Sequence, residues 1–301
     1  MQIAIGLLLT AMLATPTAFS AAESGTVSVS TTNGIKVGKM SGMRLLVSAE
    51  EVETQAGQQY AGLKREAQGK HTLAPDSDPQ VLRLRRIANQ LIPLALRWNE
   101  RAPKWQWEIN LVTSPELNAC CLPGGKIVFH SGILQGLKLT DDEVAVVMGH
   151  EIAHALREHG RERMAKAGAT KLAARLAEAG ISSRFKTDPN VTHSVVGGVA
   201  GLAILKFSRA DETEADLIGL DLAARAGYDP RAGVMLWQKM GMRNTGAPPQ
   251  WLSTHPAGEN RIAEIRKHLP EVMPLYAKAK QLPLAQLPAY QSNVPGLAAV
   301  N

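Results

Sequence analysis

The chain has 301 residues, 45% hydrophobic and 20% charged, which is globular composition and excludes a disordered or collagen-like chain. Outside the N-terminus no run approaches the roughly 18–20 apolar residues of a membrane-spanning helix, so a multi-span protein is excluded as well. The net charge of +6 (33 Lys and Arg against 27 Asp and Glu) is scattered, its densest cluster, Arg83, Arg85 and Arg86, falls on an amphipathic helical pattern, and 4% aromatics is too sparse for base stacking, so no nucleic-acid partner is expected.

In chain order, residues 1–22 carry no charged side chain, and the short apolar run from Ile3 to Ala14 is followed by Pro16 and small residues. That layout predicts a signal peptide and, with it, export to an oxidising compartment, most simply the bacterial periplasm; an uncleaved N-terminal anchor is the alternative, because the first residues lack Lys and Arg. Residues 23–44, rich in Ser, Thr and Gly, read as a flexible or strand-like lead-in. Asp78 and Pro79 cap a helix whose stripe is Val81, Leu84, Ala88, Leu91 and Ala95. Trp105, Trp107, Ile109 and Leu111 alternate with polar residues at the period of a half-buried strand, and the Pro123-Gly124-Gly125 turn leads to a second short strand from Lys126 to Phe129 that can pair with the first.

Thr140-Asp141-Asp142-Glu143 is a capping box ahead of a helix through Val144, Met148, Ile152 and Ala155. A further helix opens at Ser208 and ends near Gly227, and Asp229-Pro230 starts another. Val195 to Leu205 is apolar and Gly-rich but about half a membrane span, so packing within the fold is expected. Residues 45–270 form the working domain. Prolines at 274, 283, 288 and 295 predict an extended, peripheral tail over 271–301. The elements together make a mainly α chain with a small antiparallel or mixed β-sheet, an α+β fold.

The chemistry stands inside the capped helix as His150-Glu151-Ile152-Ala153-His154. At about 100° per residue the second imidazole lies within roughly 40° of the first, one turn along, so both can face one ion. Zinc takes imidazole nitrogen readily, and a catalytic zinc keeps three protein ligands and one position for water. Glu151 flanks that face as a general base. A third ligand must come from elsewhere, and Ser208-Arg209-Ala210-Asp211-Glu212-Thr213-Glu214-Ala215-Asp216 offers Glu212, with Glu214 competing on residue type alone. Asp216, one turn beyond Glu212, can accept the free N–H of a metal-bound histidine.

With these motifs the sequence resembles the zinc metallopeptidases related to the CAAX prenyl endopeptidase and the heat-shock protease HtpX. The likeness rests on HEIAH, on Glu212-x-x-x-Asp216, on Asn118-Ala119-Cys120-Cys121-Leu122-Pro123-Gly124-Gly125, similar to that family's edge-strand motif, and on Ser253-Thr254-His255-Pro256 followed by Arg261. It implies a zincin/gluzincin-like core, one zinc per chain on His150, His154 and Glu212, catalysis by Glu151, and support from Asp216 and Arg261. It also implies that His255 lies near the metal, donating to the oxyanion or capping the open position. The substrate would lie extended along Asn118, Ala119, Cys120, Cys121 and Leu122. Cys120 departs from the family's usual Phe, and the spans of the membrane-embedded members are missing. The nearest branch is therefore the exported periplasmic proteases acting on unfolded or misassembled envelope proteins.

Two other readings compete. One is a holdase with a structural metal site, which has no need of Glu151; the other is a protein drawn by charge to an anionic membrane surface. Nothing in the sequence sets an oligomeric state. His71, His130, His159, His193 and His268 lack ligand spacing and read as solvated or core residues, and Arg157, Glu158, Arg161 and Glu162 as a solvated helix face. Cys120 and Cys121 read as two free buried thiols, since a vicinal bridge across about 3.8 Å between neighbouring Cα atoms would be strained; a reducible bridge beside the substrate strand is the competing reading.

Overall fold

Side-chain caps start the first two helices: Ser48 accepts from Glu51 N–H to open α1 (Ala49–Gly69), and Asp78 accepts from Gln80 and Val81 N–H, at 2.7 and 3.3 Å, to open α2 (Pro79–Ala95). In this computed structural model, which describes residues 34–170, 206–243, 250–255 and 260–301, three short strands follow: β1 (Glu108–Val112), β2 (Ala119–Leu122) and β3 (Lys126–His130). The remaining helices are α3 (Ser131–Gly136), α4 (Asp141–Leu156), α5 (residues 159–170), α6 (Arg209–Arg225), α7 (Ala232–Arg243), the short α8 (Gln250–Thr254) and α9 (Arg261–Lys280). The expected signal peptide, the first part of the lead-in, His193 and the Val195–Leu205 segment lie outside the described residues. Among the described residues no helix is long and apolar enough to cross a membrane.

The sheet is mixed, as its sequence order allows. Strand order is β1-β3-β2, with β1 parallel to β3 and β2 antiparallel to it through the glycine turn, so β2 is an edge. Gly124 and Gly125 both take positive φ, 82° and 81°, which suits residues without a Cβ. The two tryptophans expected on the first strand lie just before it: Trp105 closes a 3-10 turn (Ala102–Lys104), and both are buried.

Helix α4 is the centre of the molecule. Every residue from Glu143 to Leu156 is buried, so it has no solvent face, and its first turn ties it to three neighbours. Thr140 and Glu143 form the reciprocal capping box. Asp141 binds Arg83 and Arg86 of α2, at 2.6 Å each. Asp142 accepts from Asp229 N–H at 3.0 Å, and the fully buried Glu143 pairs with Lys239 of α7 at 2.7 Å. Against α4 lies α6, opened by Ser208 and followed by Gly227 in the left-handed conformation (φ 83°). The two helices touch backbone to backbone at Gly149 and Gly219: a Cβ at Gly149 would stand 2.9 Å from Gly219 O, and one at Gly219 would stand 2.8 Å from His150 N.

Three expectations need correcting. First, α9 runs to Lys280, ten residues into the stretch expected to be an extended tail. Pro270 and Pro274 are exposed and one turn apart, while Ile265, Leu269, Val272, Leu275 and Tyr276 bury a continuous stripe, and that burial outweighs the backbone bonds the prolines remove. Second, the lead-in is bound from residue 34 onward: Ile35 is buried, and its N–H donates to the buried Asp221 at 3.0 Å. Third, Arg157, Glu158 and Glu162 are buried. Glu158 takes positive φ (56°) after α4 ends, and this turn directs the segment inward, so that Arg157 meets Glu214, and Glu158 accepts from Arg44 and Arg161.

The Gly149–Gly219 approach predicts the effect of Gly219→Ala. Alanine gains about 1 kcal/mol of helix propensity, but the overpacked backbone contact costs about 1–3 kcal/mol. A net loss of stability in urea denaturation is expected; an unchanged or raised midpoint would show that the two helices can separate without penalty.

Candidate metal centre

One turn of α4 and the first turn of α6 meet just beyond the glycine contact. There His150 Nε2 and His154 Nε2 are 3.0 Å apart, and the Glu212 carboxylate reaches 3.7 Å from the first and 3.5 Å from the second. A fourth donor arrives from the end of α8: His255 Nδ1 is 3.0 Å from Glu212 Oε1 and 3.3 Å from His150 Nε2. These four residues offer one donor atom each within 4.8 Å of one another, the cluster of this kind found among the described residues. Bonds of about 2.0–2.1 Å to a tetrahedral zinc would separate neighbouring donors by about 3.3–3.4 Å. The observed 3.0–3.7 Å separations bracket that value, so this donor set fits such an ion.

Burial decides the electrostatics. His150, Glu151 and Glu212 are 2% exposed and His154 3%, so each charge must be compensated within the protein. Burial holds the His154 imidazole well below its ordinary value, in the neutral form that binds metals. Burial lowers His150 too, but the Asp216 hydrogen bond and the Glu212 charge outweigh it and raise this imidazole. For Glu212, burial pushes the carboxyl up; hydrogen bonds with His154 and His255 prevail and keep it ionised, below the ordinary carboxylate range. Asp216 behaves likewise, its burial overcome chiefly by Arg261. Asp216 Oδ1 lies 3.0 Å from His150 Nδ1, and Arg261, at the start of α9, donates to both Asp216 oxygens and to Glu212 Oε2. The guanidinium rests 3.9 Å from the Trp237 ring centre.

Glu151 faces the cleft beside the cluster, 3.6 Å from His255 Nε2, and its Oε1 accepts the Trp251 indole N–H at 2.7 Å. A cleft of about 290 Å³ opens from these groups, lined by Asn118 to Leu122, by Val52 of α1 and by Phe207, which stacks on His154 at 3.8 Å. Of the sequence-predicted site residues, Asn118 to Leu122, Glu151, His154 and His255 line this cleft, while His150, Glu212, Asp216 and Arg261 join it through their contacts with the donor cluster. His130 N–H donates to Asn118 O, so by the antiparallel alternation Ala119 and Cys121 turn their backbone N–H and C=O away from β3, toward the open edge. Both cysteines are free. Neighbours on a strand point to opposite faces, and Cys120 packs with Tyr60 and Val128 while Cys121 packs against the main core, so the vicinal bridge has no geometry here. Burial, aided by the Glu151 carboxylate, pushes the Cys120 thiol up to about 12.

Sequence reasoning missed Trp251, Phe207, and the partners His159 and Glu214. His71 and His268 lie far from the cluster's chemistry, the latter paired with Glu264 and Glu271 on the surface. A metal site split between a His-Glu-x-x-His helix and a carboxylate from a second helix, beside a small mixed sheet, defines a zincin-like core.

The chain belongs to peptidase family M48, whose pattern it matches over residues 81–269. It is 41% identical to the mitochondrial metalloendopeptidase OMA1 of Arabidopsis thaliana over 52% of this chain and 30% of that protein. With the protein of the same name from Schizosaccharomyces pombe it shares 33% identity over 66% of this chain and 56% of the relative. The beta-barrel assembly-enhancing protease of Escherichia coli matches at 28% over 57% of this chain and 36% of its own length. The chain therefore spans between about a third and just over half the length of these relatives. They also correct the expected location: the relatives matching at higher identity are mitochondrial by name, the bacterial one is weaker, and the periplasmic expectation is withdrawn.

The Arg261 contacts predict that Arg261→Met strips two buried carboxylates of the cation they share and destabilises the metal-free protein by about 3–5 kcal/mol. Thermal denaturation in chelator would measure it; a loss below 1 kcal/mol, on the scale of a surface pair, would contradict this account of the site.

Proposed function

We propose that this chain is a zinc-dependent endopeptidase that cuts extended, unfolded stretches of polypeptide, with one zinc held by His150, His154 and Glu212. The observation that carries the reading is the four-donor cluster with Glu151 at its side. A tetrahedral set of nitrogen and oxygen donors suits zinc better than magnesium or calcium, which require six or more oxygens. When bound, zinc supplies Lewis acidity: it lowers the pKa of a water toward neutrality and draws charge from the scissile carbonyl.

The remaining work falls to the chain's own groups. Glu151 takes the proton from the attacking water and returns it to the leaving amine. Trp251 holds one oxygen of Glu151 at 2.7 Å, so the other is the one free to work. The substrate adds to the β2 edge, where Ala119 and Cys121 offer their backbone groups; recognition through main-chain hydrogen bonds depends little on sequence and requires an unfolded segment. His255 Nδ1 stands 3.0 Å from Glu212 Oε1 and 3.3 Å from His150 Nε2, so it would compete with water for the position that His150, His154 and Glu212 leave free on a zinc, and on yielding that position it would be within reach of the oxyanion as a donor.

The test is Glu151→Gln. It should bind zinc as the parent does and keep its fold, while cleavage of an unfolded protein falls by about 10²–10⁴. Undiminished cleavage would remove the mechanism; binding of unfolded chains without cleavage by the parent itself would favour the holdase.

A further inference from the structure

His150 and His154 each have the second ring nitrogen engaged. That of His150 meets the Asp216 carboxylate, whereas that of His154 meets another imidazole: His154 Nδ1 and His159 Nδ1 are 2.9 Å apart. His159 Nε2 then lies 2.9 Å from Glu214 Oε2. Glu214 accepts two bonds of 2.8 Å from Arg157, whose Nη2 also donates to Gly38 O at 2.6 Å. His159 is buried at the turn from α4 into α5.

The two ends of this chain, Glu214 and the ligand role of His154, together set its proton order. An ionised carboxylate only accepts, so His159 carries a proton on Nε2 and donates it to Glu214. With His154 ligating through Nε2, its ring proton stands on Nδ1 and is donated to His159 Nδ1, which accepts it at 2.9 Å. Glu214 reaches His159 and not the ion because, at about 100° per residue, it projects roughly 200° around α6 from Glu212, whereas Asp216 returns to within about 40°.

We propose that His159 and Glu214 are positioning residues of the metal centre, which fix the tautomer and the ring plane of His154 and so set the affinity for the metal. The inference rests on reading His154 as a ligand. It also explains the three acids at every second position of α6: Glu212 serves the ion, Asp216 orients one imidazole, and Glu214 orients the other through His159.

The experiment is metal affinity in the full-length protein, by competition for Zn²⁺ against a chromogenic chelator, with the visible spectrum of the Co²⁺-loaded protein as a second readout. His159→Leu keeps bulk and removes the acceptor, and should weaken Zn²⁺ binding by about 10- to 100-fold and shift the Co²⁺ bands. His159→Asn, whose Oδ1 substitutes for the ring Nδ1 as acceptor, should recover most of that loss, which a packing role would not allow. Glu214→Gln, nearly isosteric, should weaken binding by a smaller factor, and it carries the test if His159→Leu does not fold. Parent-like affinity and spectra in both His159→Leu and Glu214→Gln, or equal losses in the Leu and Asn proteins, would overturn the proposal. His154→Ala tests the underlying reading separately: parent-like Zn²⁺ affinity there would remove the ligand, and the relay with it.

Discussion

The backbone contact between Gly149 and Gly219 is the constraint on which the site depends. A metal ion needs donors spaced within a few tenths of an ångström, and here two of them stand on one helix and the third on another. Helices bearing ordinary side chains pack with axes about 8–10 Å apart. With glycine at both contact positions the approach is limited by backbone atoms alone. Gly149 immediately precedes His150, so the closest approach of the two helices and the first donor of the cluster are neighbours in the chain. The glycines give up helix propensity of about 1 kcal/mol each, and the gain is a fixed distance between His150 and Glu212.

Rigidity of that kind concentrates charge, and α6 shows how the charge is accommodated. Three carboxylates in five residues would repel one another in an isolated helix, although the first turn of a helix favours acids. In the folded protein two arginines serve the three: Glu212 and Asp216 share Arg261, and Glu214 has Arg157. These cations come from different elements, Arg261 from α9 and Arg157 from the turn after α4, so the electrostatic balance of the site is closed only once both have packed. Burial makes that coupling strong, because a carboxylate stripped of its partner in this environment has no water to turn to.

The parts written in the sequence were those with local causes. The Asp78 cap, the Thr140–Glu143 box, the Ser208 opening and the glycine turn before β3 are set by residues within four positions of one another, and the structure has each of them. So has the pairing of the two histidines, since it needs only helical periodicity. Helix α1 was not legible: its buried stripe is Ala49, Val52, Ala56 and Tyr60, small or half-polar residues without an apolar run, and it is held by the β2–β3 cluster it covers. Nor was the inward turn at Arg157–Glu162 legible, because charged residues read as solvated unless their partners are known, and those partners are 57 and 114 positions away. The helical start of the tail failed for the same reason: proline is a local signal, and the stripe that overrides it is tertiary.

The least legible element, α8, has five residues, yet it and the residue after it touch both Glu151 and the donor cluster. Trp251 donates to Glu151, and its ring stacks on His255 at 5.0 Å with an interplanar angle of 29°. His255, four residues on, bonds back to Trp251 O and faces Glu212. The same short helix is tied by Trp251 N–H to Leu117 O, beside the β2 edge, and by Thr254 O to Phe207 N–H, ahead of α6. A displacement of α8 large enough to withdraw His255 therefore also loosens the indole bond to Glu151 and acts on the chain leading into the edge strand. In the proposed mechanism the position of His255, the freedom of Glu151 and the β2 edge are consequently not three independent conditions. They are linked through one residue, Trp251, by its indole to Glu151 and His255 and by its backbone N–H to Leu117.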